Sequence, residues 1–165
     1  MITYLTILAI LPLWWWWPHA SFSTEALTLI SIGQATALVG IMLLSFNFIL
    51  AARFFWVEKL FKGLNKIYVV HHWIGAVSFS LLLMHPTALF WTYGLGILQF
   101  RGVFYGSLAL LILTGLMILT LFIKLPYDVW KNSHQYLGLV LFFGGIHGLL
   151  VGSTLALSLP LKIYI

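Results

Sequence analysis

Apolar positions fall in long blocks separated by short polar stretches, and five blocks approach or reach the roughly 20 residues that a membrane-spanning helix needs. They run over approximately 2–17, 26–52, 67–91, 103–123 and 133–155. The pattern predicts an all-α fold, an integral membrane bundle of five helices within a single domain over 1–165. The first block is the shortest. It lacks a basic leading segment, and Trp14-Trp15-Trp16-Trp17-Pro18 is no small-residue cleavage site. It reads as a retained helix ending in an aromatic belt, not as a signal peptide.

Composition agrees with the blocks. Hydrophobic residues make up 62% and charged residues 7% of the 165, and mean hydropathy is +1.08. Soluble domains carry about 25% charged residues, so a water-facing globule, a disordered chain and a nucleic-acid binder are all excluded. The net charge of +5 comes from scarcity of acids. Its placement sets topology. Arg53, Lys59, Lys62, Lys66, Lys124 and Lys131 lie in loops on one side, whereas Arg101 and Lys162 lie on the other. The positive-inside rule then puts the N-terminus in the cytoplasm and makes the third and fifth helices parallel. A plasma membrane, such as a bacterial inner membrane, suits so compact a chain, with lipid as its surroundings.

There is no cysteine, hence no thiolate for an iron–sulfur cluster and no covalent haem attachment. Metal chemistry falls to histidine. Ionisable residues inside a bilayer are functional candidates by default, and one internal repeat carries them. His71-His72-Trp73-Ile74-Gly75 opens the third helix, and His134-Gln135-Tyr136-Leu137-Gly138 opens the fifth. Each is followed by a second histidine, His85 or His147, 14 and 13 residues beyond the first. At about 1.5 Å per residue the two levels lie roughly 20 Å apart. Two parallel helices with a histidine at each of two levels make two bis-histidine sites, whose natural occupant in an apolar bundle is b-type haem. A spacing of 14 returns to within about 40° of the same face, but 13 leaves the phase about 140° off. The expectation is that Gly144-Gly145 bends or tightens the fifth helix before His147. His72, 13 residues from His85, rivals His71 as the inner ligand. Gly75 and Gly138 would let a flat ring approach the backbone; helix packing through small residues explains them too. Arg53 and Arg101 are candidates for neutralising haem propionates, and topology accounts for both equally. Gln34 and Asn47 read as interhelical hydrogen bonders. His19 reads as a loop residue.

The blocks HHWIGAVSFSLLLMHP and LPYDVWKNSHQYLGLVLFFGGIHGLLVGS resemble the ferric reductase-like transmembrane domain of ferric reductases and NADPH oxidases. His71, Gly75 and His85 match its pattern, as do His134 and His147; His72 stands where that family commonly has Arg. The resemblance covers roughly 53–153. It implies an oxidoreductase with two haem b groups, an inner one on His71 and His134 and an outer one on His85 and His147. It further implies a flavin and nicotinamide domain, or a reductase subunit, binding FAD and NAD(P)H and feeding electrons to an external acceptor, ferric iron or dioxygen. No residue of this chain is expected to act as an acid, base or nucleophile. The family has six membrane helices, and 159–165 reads as the start of a sixth that is incomplete or missing. The expectation is a fragment. Two alternatives stand beside this reading: the haem subunit of a quinol-linked reductase, such as a methionine sulfoxide reductase system, and a histidine-gated transporter or channel.

Overall fold

The computed structural model describes residues 2–100 and 102–151. Seven α-helices are present among them: α1 (Ile2–Trp16), α2 (Glu25–Ala51), α3 (Phe55–Phe61), α4 (Leu64–Tyr93), α5 (Val103–Phe122), α6 (Tyr127–Gln135) and α7 (Leu137–Leu150). Short 3-10 segments follow α1 at Trp17–His19 and α4 at Gly94–Gln99. The fold is a helical membrane bundle, with no strand among the described residues. Three helical stretches have the length and apolarity to cross a bilayer: Glu25–Ala51, Leu64–Gln99 and Val103–Phe122. α1 and α7, at 15 and 14 residues, fall short of the usual spanning length.

Two compact units divide the described chain, one over 2–94 and the other over 95–151. In the first, α2 starts cleanly because Thr24 caps it, its hydroxyl accepting from the Leu27 amide at 3.2 Å. Glu25 adds a negative charge to that first turn. The Trp run divides by face. Trp16 is 4% exposed and donates its Nε1–H to Gln34 Oε1 at 3.0 Å, while Trp14 and Trp17 point outward. Gln34 thus ties α1 to α2 as expected. Ser21 and Ser31 clamp the same junction, each bonding the other at 3.0 Å.

The basic loop 53–66 is not a plain loop. It contains α3, which the apolar blocks did not foreshadow, because seven residues are too few for a periodic signal. Arg53 (φ 52°) and Lys62 (φ 57°) bracket it in left-handed backbone, which reverses the chain on either side. Val57 and Phe61 of α3 turn inward onto Leu50 and Ile67. This corner fixes α2 against α4.

The fifth predicted helix, 133–155, needs two corrections. It is interrupted at Tyr136, and its polar half belongs to a separate helix that begins at Tyr127. α7 continues through Gly144 and Gly145 without interruption, and the break lies earlier, at Tyr136. At Tyr136 the hydrogen bonds shorten to the i→i−3 pattern: its amide bonds the Ser133 carbonyl, and the Leu139 amide bonds the Tyr136 carbonyl. The stretch from Asp128 to Gln135 is too polar to continue as an apolar span. The predicted end at 155 lies outside the described residues, as do 159–165 and Arg101.

Candidate functional site

All four repeat histidines are half-buried, and each engages its Nδ1 on a neighbouring helix. In the first unit the geometry is a ladder. His71 Nδ1 lies 3.3 Å from the Asn47 carbonyl, Ser78 Oγ lies 2.8 Å from the Gly40 carbonyl, and His85 Nδ1 lies 2.8 Å from the Gly33 carbonyl. The donors are spaced seven residues apart on α4, and the acceptors seven apart on α2. Seven residues return to within about 20° of the same face, so two antiparallel helices in this register meet rung by rung. Small residues allow the approach. A Cβ at Gly40 would lie 2.9 Å from Leu82 Cγ, and one at Gly33 would lie 3.3 Å from Leu89.

In the second unit α5 seats both histidines. His147 Nδ1 lies 2.9 Å from the Gly102 carbonyl, and its ring covers Gly106, where a Cβ would come within 2.8 Å of it. His134 Nδ1 lies 3.4 Å from Thr120 Oγ1. His134 also stacks on Trp130, with centroids 5.3 Å apart and planes at 18°. The break at Tyr136 falls between the two histidines. They do not share one helix, and the phase argument against a spacing of 13 does not apply across it.

These bonds determine the tautomers. A carbonyl oxygen only accepts, so the Nδ1 atoms of His71, His85 and His147 carry the proton. Thr120 already donates its hydroxyl proton to the Leu116 carbonyl at 2.7 Å, so it accepts from His134. In neutral imidazole this leaves the lone pair on Nε2 in all four. That is the arrangement in which a histidine ligates a metal, its other N–H held by an acceptor outside the metal's own ligand set. Among the described residues no three His, Cys, Asp or Glu side chains gather into a metal-binding group.

The other candidates separate clearly. His72 is exposed and meets Trp73 edge-on at 6.4 Å, whereas His71 ends the ladder. Gly75 faces α2: a Cβ there would lie 3.1 Å from Asn47 Nδ2. Gly138 is half-buried near the start of α7. Arg53 bonds the Tyr68 hydroxyl, its guanidinium 5.5 Å from the ring centroid, one turn before His71. Asn47 serves through its main chain; its side-chain Oδ1 is buried without a hydrogen-bond partner. His19 is exposed.

Ser78, Gly33, Gly40, Gly102, Gly106 and Thr120 were not singled out from sequence. The heptads Gly33–Gly40–Asn47 and His71–Ser78–His85 were the available signal for the first unit. Nothing comparable marks Thr120.

Apolar helices long enough to span a bilayer, one of them carrying His71 and His85, define an integral membrane protein. The chain belongs to the family described as ferric reductase like transmembrane component, which residues 36–145 match. That is two thirds of the chain, from within α2 to within α7, and it takes in His71, His85 and His134. Comparison with curated proteins and with solved structures found no match. Membership places the chain, at a coarse level, among oxidoreductases of transmembrane electron transfer.

Proposed function

We propose that this chain carries electrons across a membrane through two bis-histidine b-type haems, held by His71 with His134 and by His85 with His147. The observation that carries the reading is the common Nδ1 engagement of all four histidines, which presents Nε2 as the ligating atom at each. Bound haem supplies a one-electron Fe(III)/Fe(II) couple. The protein's own part is to hold four imidazoles in one tautomer, to fix two levels about 20 Å apart along a helix, and to surround them with apolar helix faces. Arg53, which pairs with Tyr68 one turn from His71, would meet a haem carboxylate at the inner level. Electrons come from a flavin and NAD(P)H domain or partner on the cytoplasmic side. They leave to ferric iron or dioxygen outside.

Reduced-minus-oxidised spectra of membranes containing the full chain test this. b-type haem bands are expected, and His85→Ala or His147→Ala is expected to remove about half the haem. Absence of the bands, or unchanged haem in both variants, would sink the proposal. Reduction by quinol but not by NAD(P)H with a flavoprotein would exchange the donor and keep the conduit.

A further inference from the structure

The corner between α2 and α4 carries a face that neither the ladder nor the histidines use. On α3, Val57 and Phe61 close the seam to Leu50 and Ile67. At about 100° per residue the opposite face holds two pairs one turn apart, Phe55 with Lys59 and Trp56 with Leu60. Their apolar members stand well out: Phe55 is 79% exposed, Trp56 59% and Leu60 55%. Trp56 lies flat on Phe54, with centroids 5.6 Å apart and planes at 9°, so the two rings form one plate. Lys59, and beyond it Lys62 and Lys66, are exposed as well.

Charge separates this face from the exposed apolar surface of α2. That helix also exposes large apolar residues, such as Ile32 and Ile49, yet it has no charged residue after Glu25. Residues 53–66 hold four cations, Arg53 and three lysines, against one acid, Glu58. Hydrocarbon tails suit the first kind of surface. Rings interleaved with lysines do not belong among tails, nor in bulk water, where so much aromatic area would be left uncovered. They belong at the headgroup level, where rings lie at the acyl boundary and lysine stems run along apolar surface to reach phosphate. α3 joins the ends of two helices long enough to span a bilayer, so its place in the chain puts it at that level.

We infer that the outward face of α3 binds anionic phospholipid: Phe55, Trp56 and Leu60 enter the acyl boundary, and Lys59, Lys62 and Lys66 hold headgroup phosphates. A zwitterionic headgroup carries its own cation, which cancels part of that attraction. The positive-inside rule assigns this end to the cytoplasmic leaflet, where anionic lipid is concentrated. Each lysine close to such a surface contributes about a fivefold preference. α3 also packs on Leu50 and Ile67, so lipid bound to its outer face stabilises the corner that sets α2 against α4. The inference is independent of the haem reading.

Quenching of Trp56 by brominated lipid tests it. The full chain is placed in phosphatidylcholine nanodiscs that contain increasing brominated phosphatidylglycerol or brominated phosphatidylcholine. The Trp56 signal is the difference between the chain and Trp56→Phe. Both lipids are expected to quench, phosphatidylglycerol at a mole fraction at least about fivefold lower. Lys59→Gln, Lys62→Gln and Lys66→Gln together are expected to bring phosphatidylglycerol to the level of phosphatidylcholine, and arginine at the same three positions is expected to restore the preference. Equal quenching by the two lipids in the unaltered chain overturns the inference. So does a preference that the glutamine variant keeps, which would put the anion site elsewhere. Quenching by neither lipid also overturns it, and would mean that protein, such as a second copy of this chain, covers the face. A second readout needs no variant. Thermal unfolding of the unaltered chain is expected at a higher temperature with phosphatidylglycerol than in pure phosphatidylcholine, by a margin that shrinks at high salt. No difference between the two would count against it.

Discussion

The two units solve one problem by different means. Each holds two histidines at separate depths with Nδ1 bonded to a neighbouring helix. In the first unit, two long unbroken helices lie antiparallel in heptad register, so the two levels follow from one repeating contact, α2 carbonyl to α4 side chain. In the second, α5 is continuous, but its partner is split at Tyr136 into a polar α6 and an apolar α7, each placing one histidine. A register of seven keeps both histidines of α4 on one face at no conformational cost. A spacing of 13 has no such register, and the second unit reaches the same outcome with a break. The ladder therefore couples its two levels mechanically, whereas the split partner separates them.

The largest effect is expected where that separation is sharpest. A Cβ at Gly106 would come within 2.8 Å of the His147 ring, and Gly106→Val leaves the imidazole nowhere to sit. About half the haem is expected to be lost, with the His134 level retained, as measured by pyridine haemochrome per mole of protein. Gly115→Ala on the same helix is the control. Beyond its chain neighbours and its own helix backbone, no atom lies within 4 Å of its Cβ position, and full haem is expected, with stability unchanged or raised by up to about 1 kcal/mol from helix propensity. Loss of both haems in Gly106→Val would show that the two levels of this unit are coupled after all.

In the ladder the equivalent insertion is expected to act on both levels. Gly40 lies midway between Gly33 and Asn47, and a Cβ there would lie 2.9 Å from Leu82 Cγ. Gly40→Val separates α2 from α4 at the middle rung and weakens both flanking rungs. An overpacking cost of about 1–3 kcal/mol is expected, together with upward shifts in the potentials of both haems. Leu82→Ala in the same chain is expected to recover most of the loss. A shift confined to one haem would contradict the coupling.

Sequence alone reached part of this. The long apolar blocks located α2, α4 and α5 to within a few residues, because a membrane span is a matter of length and transfer free energy that one chain displays by itself. The four histidines stood out for the same reason: polar groups are conspicuous in such blocks. What could not be read is lateral. Which carbonyl faces His85 depends on the register of α2 against α4, and no single helix encodes that. On an ideal helix a spacing of 13 puts His134 and His147 out of phase, and in the sequence the Gly144-Gly145 pair is the visible place for a bend. The break falls instead at Tyr136, where a polar segment meets an apolar one and no glycine is needed. α3 stayed hidden because its seven residues show too little periodicity, although Val57 and Phe61 anchor the corner that sets the ladder's register.

The smallest expected effect is the most discriminating about the ladder itself. Ser78 is the rung that is not a proposed haem ligand. It is fully buried, and its hydroxyl donates to the Gly40 carbonyl at 2.8 Å. Hydrogen bonds between helices in a membrane contribute about 0.6 kcal/mol on average and at most about 1.7, because the separated helices also find partners. Ser78→Ala removes the bond and adds no bulk, so its cost should fall in that range, read as a small drop in thermal stability with both haems in place. The Gly40 carbonyl keeps its place in the α2 backbone ladder, so no orphaned acceptor enlarges the loss. A loss well above that range would mean that the polar rung, and not the close approach of small residues, holds α2 to α4. An unchanged melting temperature would place the whole of the register in Gly33, Gly40 and the α3 corner, and would leave Ser78 as a residue selected only for its size.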